Sequence, residues 1–64
     1  MTLSEARARI GSRVVYRRAD GPHTVEEHGV IADVSAVFVM VHFDGDRHAK
    51  ATAPGLLDWA GERR

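Results

Sequence analysis

The sequence contains no cysteine, which excludes both a disulfide framework and a thiolate zinc site. The absence of such staples is typical of a protein from a reducing compartment. No apolar run reaches the length that a membrane-spanning helix needs, so we predict no contact with a membrane. The first residues, Met-Thr-Leu-Ser-Glu, lack the basic start and apolar middle of a signal peptide. We therefore expect a cytoplasmic protein.

The chain also lacks a net charge, because nine basic and nine acidic side chains cancel. A neutral total gives no argument for a nucleic acid or a membrane surface as partner. The charges are nevertheless segregated: residues 1–18 carry five arginines and one glutamate, residues 19–46 carry six acidic and no basic side chains, and residues 47–64 carry four basic and two acidic ones. This pattern predicts either a charged dipole in space or a simple solvated surface.

The length of 64 residues allows one domain, 1–64, with a core near the lower limit for unaided folding. The longest apolar run, residues 37–43, is the best candidate for a central strand. Its alternation places Val37, Val39, Val41 and Phe43 on one face, which we predict to be the core face. The other face carries Phe38, Met40 and His42. An apolar pair on that second face needs a cover of its own.

A short helix is predicted for residues 2–10. Thr2 and Glu5 have the spacing of a capping box, and Gly11 is a typical stop. The residues that share one face of this helix, and that should lie on the core, are Leu3, Ala6 and Ile10.

Two strands should follow the helix. Residues 13–17 form strand one, with Val14 and Tyr16 on one face, and with Arg13, Val15 and Arg17 on a second, half-exposed face. Residues 18–24 contain Asp-Gly-Pro and predict a loop. Strand two spans 25–34, with a bend or bulge at Gly29 and a bulge between Ile31 and Val34, because strict alternation cannot bury both of these side chains.

Residues 47–52 form strand four. If Ala49 and Ala51 point inward and Lys50 outward, the loop before them has an odd number of residues, either 44–46 or 44–48. A two-residue Asp-Gly turn would turn Lys50 inward and is rejected on that ground. Residues 56–60 form a last short strand or turn, with Leu57 and Trp59 closing the core.

Five short strands with this spacing predict an all-β fold with one short N-terminal helix, a small five-stranded SH3-like barrel over residues 13–60. The alternative is an open meander covered by the helix. Several segments resemble small phage and prophage-type proteins of uncharacterised role that look like free-standing SH3-like barrels. These segments are GSRVVY at 11–16, EHGVI at 27–31, FVMVHF at 38–43, KATAP at 50–54, and Leu57.

The resemblance covers about residues 11–59 and implies a fold and a viral or mobile-element origin, with the host bacterial cytoplasm as location. It implies no active site. The sequence departs from the pattern at His42, where a basic residue is usual, and at Leu56, where an acidic one is. The glycine-strand pattern is also similar to KOW and Tudor-like barrels, which would imply contacts with RNA, polymerase or ribosome.

No catalytic, cofactor or metal site is predicted. The four histidines have no metal-ligand spacing, although His42 and His48, if they face each other across the hairpin, could share a metal with Asp46. Surface histidines are the simpler interpretation. Glu26 and Glu27 would point to opposite faces of a strand, so they do not form a catalytic pair. We predict that the protein is not an enzyme.

A protein-interaction module is the function that the sequence favours. We predict that its contact face consists of Phe38, Met40 and His42, and that its charged rim consists of Arg13, Arg17 and Lys50, with Val15 beside them. A homodimer, or a helix lying over Phe38, would explain the same apolar face.

Nucleic-acid binding, to RNA or single-stranded DNA, is the alternative. Arg13 and Arg17 would contact phosphates, and Tyr16 or Phe38 would stack on bases. The acidic segment 19–46 argues against it, because it would repel phosphates.

Overall fold

The computed structural model describes residues 1–61 and consists mostly of β-structure. The elements in chain order are a helix α1 (Leu3–Ala8), strands β1 (Arg13–Asp20), β2 (His23–Val34), β3 (Val39–Phe43) and β4 (Lys50–Thr52), a one-turn 3-10 helix (Pro54–Leu56), and strand β5 (Leu57–Trp59). Three residues that carry part of the predicted C-terminal charge lie outside the described residues: Glu62, Arg63 and Arg64.

The five strands form one antiparallel sheet in the order β4-β3-β2-β1-β5. This confirms the predicted all-β fold and the strand count. Within residues 1–61 no ladder joins β4 to β5, so the sheet remains open on one side and is not a closed barrel. We call the concave face that carries the core the inner face, and the opposite face the outer face.

Strand β3 confirms the predicted alternation, because Val39, Val41 and Phe43 are buried and His42 is exposed. The placement of Val37 on the core face is wrong, since its side chain is 63% exposed. The cause is local. The Ser35 hydroxyl oxygen accepts a hydrogen bond from the Phe38 backbone N–H at 2.9 Å, so residues 35–38 form the β2–β3 turn and the strand begins only at Val39.

Helix α1 begins with the predicted capping box. The Thr2 side chain accepts from the Glu5 backbone N–H at 3.1 Å, and the Glu5 carboxylate accepts from the Thr2 N–H at 2.9 Å. Ala6 is fully buried and Leu3 packs against the core. Ile10 was predicted to join them, but it is 52% exposed because the helix ends at Ala8, two residues earlier.

The β1–β2 connection is much shorter than the predicted loop 18–24. The ladder continues to the pair Asp20 and His23, so Gly21 and Pro22 alone make the reversal. Gly21 adopts a φ of +63°, which favours glycine, and Pro22 lies where no ladder donor is needed. Residues 17–20 and 23–26 pair with each other beyond the ends of the β1–β5 and β2–β3 ladders, and we call this two-stranded extension the hairpin arm.

The predicted bulge in β2 is confirmed, since the β2–β3 register shifts between Ile31 and Asp33. Regular pairs join Gly29 to both β1 and β3, so the bulge predicted as one alternative at this residue is wrong. Gly29 has a different role. A methyl group added there would lie 2.7 Å from the carbonyl oxygen of His42 and 2.8 Å from a methyl carbon of Val41. Glycine therefore permits β2 and β3 to approach closely.

The register of β4 is opposite to the predicted one. Val39 pairs with Thr52 and Val41 with Lys50, so Thr52 and Lys50 lie on the inner face and Ala51 lies on the outer face. The connection spans six residues, 44–49, an even number. The prediction failed because Thr52, 6% exposed, takes the buried position that we had assigned to alanine. The remaining members of the core are Ala6, Val14, Ile31, Val39, Val41, Phe43 and Leu57.

Candidate functional site

The open side of the sheet forms a groove on the inner face. Its floor consists of Tyr16, Phe43 and Leu56, and it encloses about 290 Å³ between the hairpin arm on one side and β4 with the 3-10 turn on the other. Tyr16 and Phe43 belong to the same inner face as the core side chains, because the β1 and β3 alternations continue outward from Val14 and Val41. The groove is thus the uncovered end of the core.

The floor is aromatic and partly accessible. The rings of Tyr16 and Phe43 meet edge to face, with centroids 5.9 Å apart and planes at 73°. Leu56 projects from the 3-10 turn and is 42% exposed. The Tyr16 hydroxyl makes no hydrogen bond with any part of the chain that the structure describes. This floor therefore offers apolar contact together with one available donor.

Charged side chains line both walls. Arg18 extends from the arm and Glu27 from the adjoining residue of β2, both on the same inner face as Tyr16, because Tyr16 pairs with Glu27 in the ladder. Neither makes an ion pair within residues 1–61. Lys50 lies on the β4 wall, where its amino group is 3.2 Å from the carboxylate of Asp46. The groove therefore has apolar contacts below and charges of both signs at its rims.

The outer face of β1 is occupied by ion pairs. The Arg17 guanidinium donates from Nε to Glu26 on β2 and from Nη1 to Asp58 on β5, both at 2.7 Å. Arg13 donates to the carboxylate of Asp44 at 2.6 Å. The hydrogen bond with Arg17 holds the pKa of Glu26 below its usual range, and the same bond raises the pKa of Arg17.

Val15 lies between these ion pairs and is only 3% exposed, so the prediction of a half-exposed strand face with Val15 on it is wrong. It is not part of the core cluster on the inner face. Its ladder partners are His28 and Asp58, and Arg17 follows it on the same face. Val15 is thus a buried apolar residue with long polar side chains as its neighbours on the outer face.

The predicted contact face is not assembled as a unit. Met40 and His42 lie on the outer face of β3, where Met40 is half-buried and His42 is exposed. Val30 pairs with Arg13 on one side and with His42 on the other, so Arg13 lies in the same row as His42. Phe38 lies beyond the strand in the β2–β3 turn. Lys50 was predicted to border this face but lies on the inner face.

The helix does not bury Phe38. The phenyl side chain is 42% exposed and is not among the residues packed on the core. Where α1 approaches the turn, the contact is polar: Arg7 donates to the carbonyl oxygen of Ser35 at 3.2 Å. The β2–β3 turn therefore presents Val37 and Phe38 as a small exposed apolar tip.

The histidines do not form the alternative metal site. The β3–β4 register does not place His42 opposite His48. His42 instead lies with Nε2 2.6 Å from the carbonyl oxygen of Asp46, which fits a hydrogen bond donated by the ring. Residues 1–61 contain no group of three or more histidine, aspartate or glutamate side chains placed to hold a metal ion.

A second depression, of about 570 Å³, adjoins the groove beside the end of β3. Its lining is mostly charged, and most of those charges are matched by the ion pairs just described. Phe43 is its one large apolar lining residue. The first groove is the better candidate, because Tyr16, Phe43 and Leu56 line it together and its Arg18 and Glu27 form no ion pair within residues 1–61.

Of the groove lining, only Lys50 was predicted as a contact residue, and Arg18, Glu27 and Leu56 are among the residues that were not predicted. The Gly-Pro pair at residues 21–22 contained the signal for Arg18 and Glu27. A two-residue turn at this pair continues both strands and pairs Tyr16 with Glu27. Leu56 carried no signal of this kind, since its position depends on where the 3-10 turn packs. Tyr16 was considered as a side chain that would stack on nucleic-acid bases, and not as part of this groove.

No family model, no curated protein and no solved structure matches this chain. The resemblance to small phage proteins therefore stays a prediction. In the described part of the chain, no helix has the length and apolar character needed to cross a membrane.

Proposed function

We propose that this chain is a non-catalytic protein-interaction module that holds an extended segment of another protein in the groove of the inner face. The observation that carries the proposal is the groove floor of half-buried Tyr16, buried Phe43 and exposed Leu56, with Arg18, Glu27 and Lys50 at its rims. Concave apolar surfaces with a few polar groups are the usual form of a binding site. Charged side chains of the outer face form ion pairs with each other, so this face has fewer charges available to a partner.

We further propose that the domain is a partly open SH3-like barrel. Three features support this: a four-strand meander, a fifth strand that returns to β1 through a one-turn 3-10 helix, and the close approach of β2 and β3 at Gly29. In this proposal the groove is the gap between β4 and the rest of the barrel. A phage or mobile-element accessory role in the bacterial cytoplasm rests on the resemblance over residues 11–59.

The groove suits a peptide better than a small substrate. Its volume of about 290 Å³ is at the lower end for small-molecule sites, which occupy roughly 300–1,000 Å³. Among the described residues its lining has no serine, cysteine or histidine, and the Thr52 hydroxyl donates to the carbonyl oxygen of Lys50. These features support a binding role over a catalytic one.

Nucleic-acid binding is the less favoured alternative. Arg13 and Arg17, the cations on which it depended, both donate to carboxylates. A phosphate would have to displace those carboxylates before it could pair with either arginine. We therefore treat nucleic-acid binding as an outcome of the test below rather than as a second proposal.

The test is selection of peptides from a random library on the immobilised protein, followed by titration of a selected peptide with two variants. Leu56→Glu changes the groove and Phe38→Glu changes the β2–β3 turn, and the two side chains are equally exposed at 42%. We expect Leu56→Glu to weaken binding at least about tenfold, which corresponds to 1.4 kcal/mol, and Phe38→Glu to leave it unchanged.

The opposite pattern would assign binding to the turn and contradict the proposal. Failure to select any peptide would also contradict it. Binding of an oligouridylate at low salt in place of peptides would establish the nucleic-acid alternative. Circular dichroism of both variants provides the control for folding.

A further inference from the structure

Strand β4 has a free edge. Residues 50–52 pair with β3 on one side only, and their backbone groups make no other backbone hydrogen bond within residues 1–61. A further hydrogen bond to this backbone is local: the Thr52 hydroxyl donates to the carbonyl oxygen of Lys50 at 3.2 Å. An unpaired strand edge carries donors and acceptors that another strand can use.

The opposite edge of the sheet is not equivalent. At β5 the amino nitrogen of Met1 lies 3.5 Å from the carbonyl oxygen of Leu57 and 3.4 Å from that of Pro54. The guanidinium of Arg9 lies over the Trp59 ring at 4.0 Å. Residues of the N-terminal segment therefore cover the β5 edge, whereas the described residues leave the β4 edge open.

The groove lies directly along this open edge. Four of its lining residues are consecutive, 50–53, and its floor extends from there to Tyr16 on β1. A strand of three residues is about 10 Å long, so β4 offers pairing for about three residues of a ligand. A strand placed next to β4 would occupy the position that a closed barrel would give to another strand.

We infer that the partner segment binds by β-strand addition to the free edge of β4, with apolar side chains at every second position. This inference rests on the proposed function and specifies its mode. Main-chain hydrogen bonds to β4 supply affinity, and alternate side chains meet the floor of Tyr16, Phe43 and Leu56. The intervening side chains face away from the floor and are free to vary.

The experiment is an N-methyl scan of a peptide selected as above. Each N-methyl group removes one backbone donor, and donors on one side of a strand recur with period two. We expect methylation to weaken binding at least about tenfold at every second position in the contact segment and to have little effect at the positions between. Bound peptide should also slow amide hydrogen exchange within residues 50–52.

A peptide whose binding is sensitive to Leu56→Glu but insensitive to N-methylation, or equally sensitive at consecutive positions, would overturn strand addition while leaving the proposed function intact. If Leu56→Glu does not weaken binding of the peptide, both strand addition and the proposed function are contradicted. Sedimentation of the protein alone provides the remaining outcome. If a dimer forms with protected amides at 50–52, the edge belongs to a second copy of the chain and the inference is wrong.

Discussion

Arg17 joins three strands through one side chain. Its two hydrogen bonds reach Glu26 on β2 and Asp58 on β5, each at 2.7 Å. Exposed ion pairs of this kind stabilise a fold only modestly, because water screens them. Their position matters more than their strength, since the two bonds link β1 to both of its neighbouring strands beside Val15, which is 3% exposed.

The first prediction concerns the pH dependence of this contact. The pKa of Glu26 is lower in the folded protein than its usual value, chiefly because of the hydrogen bond from Arg17. A lowered folded pKa contributes stability that is present above the unfolded pKa and lost as pH falls through the folded one. Urea denaturation should show Glu26→Gln less stable than wild type at neutral pH, with the difference disappearing in acid.

Glu27→Gln is the matched control, because Glu27 is the adjacent carboxylate and forms no ion pair in the described part of the chain. We expect its effect on the free energy of unfolding to be small at neutral pH. A difference between Glu26→Gln and wild type that persists or grows in acid would refute the assigned cause.

Single residues show both the strength and the limit of sequence patterns. The alternation of β3 predicted the burial of Val39, Val41 and Phe43 correctly, because period two is a property of the strand itself. The same pattern placed Val37 inside and Val15 half outside, and both placements are wrong. The first depends on a serine turn and the second on the residues that flank Val15 on the outer face, and alternation contains neither.

At the scale of elements, the close pairing of β2 with β3 requires glycine at position 29. We predict that Gly29→Ala lowers the free energy of unfolding by about 1–3 kcal/mol, the usual cost of overpacking. The added methyl would lie 2.7 Å from the His42 carbonyl oxygen and 2.9 Å from the Cα of Phe43, both backbone atoms that cannot rotate away. Chemical denaturation measures the change.

Gly55→Ala provides the comparison for that experiment. Gly55 also lies in an element, the 3-10 turn, but nothing lies within 4 Å of an added methyl and its φ is not positive. We expect a change within about 0.5 kcal/mol. Equal losses from the two substitutions would show that backbone freedom, and not the close approach of strands, explains Gly29.

The hairpin arm leads to a prediction about dynamics. Within residues 1–61 the backbones of residues 17–20 and 23–26 pair only with each other, and a two-stranded ribbon is marginally stable by itself. Amide hydrogen exchange should therefore be faster at Ala19 and Thr24 than at Val14 and Ile31, which lie in the core. Equal protection in the free protein would show that the arm is held by contacts beyond the ladder.

Elements were predictable where a local signal determines them. The capping box of α1 and the β2 bulge followed from spacing and burial. The β1–β2 reversal and the β4 register were missed for a common reason. Both depend on which residue pair closes a hairpin, and a shift of one residue moves every side chain to the other face. That shift moved Lys50 from the predicted rim into the groove.

At the scale of the whole molecule, the segregated charges of the sequence are brought together by folding. Arg13 and Arg17, from the basic first segment, pair with Asp44 and Glu26 of the acidic middle segment. The predicted dipole along the chain therefore becomes a set of cross-strand pairs on the outer face. This leaves Arg18 and Glu27, on the inner face, with charges available to a ligand.

Openness of the sheet was the property least accessible from the sequence. The number and order of short strands indicated a barrel, and the meander was the stated alternative. The sheet closes only if the free edge of β4 pairs with a further strand. Neither strand periodicity nor a turn signal predicts such pairing. The candidate site exists because the sheet is open, so the sequence predicted Lys50 as a contact residue but not the groove that it lines.

The central claim is that the open side of the sheet is the binding site. The most direct measurement is amide chemical-shift mapping of the isotope-labelled protein during titration with a selected peptide. Binding in the groove predicts that the largest shifts lie at the amides of Tyr16, Arg18, Phe43, residues 50–53, Gly55 and Leu56. Largest shifts at Phe38, Met40 and His42, with the groove unchanged, would contradict the account and restore the contact face predicted from the sequence.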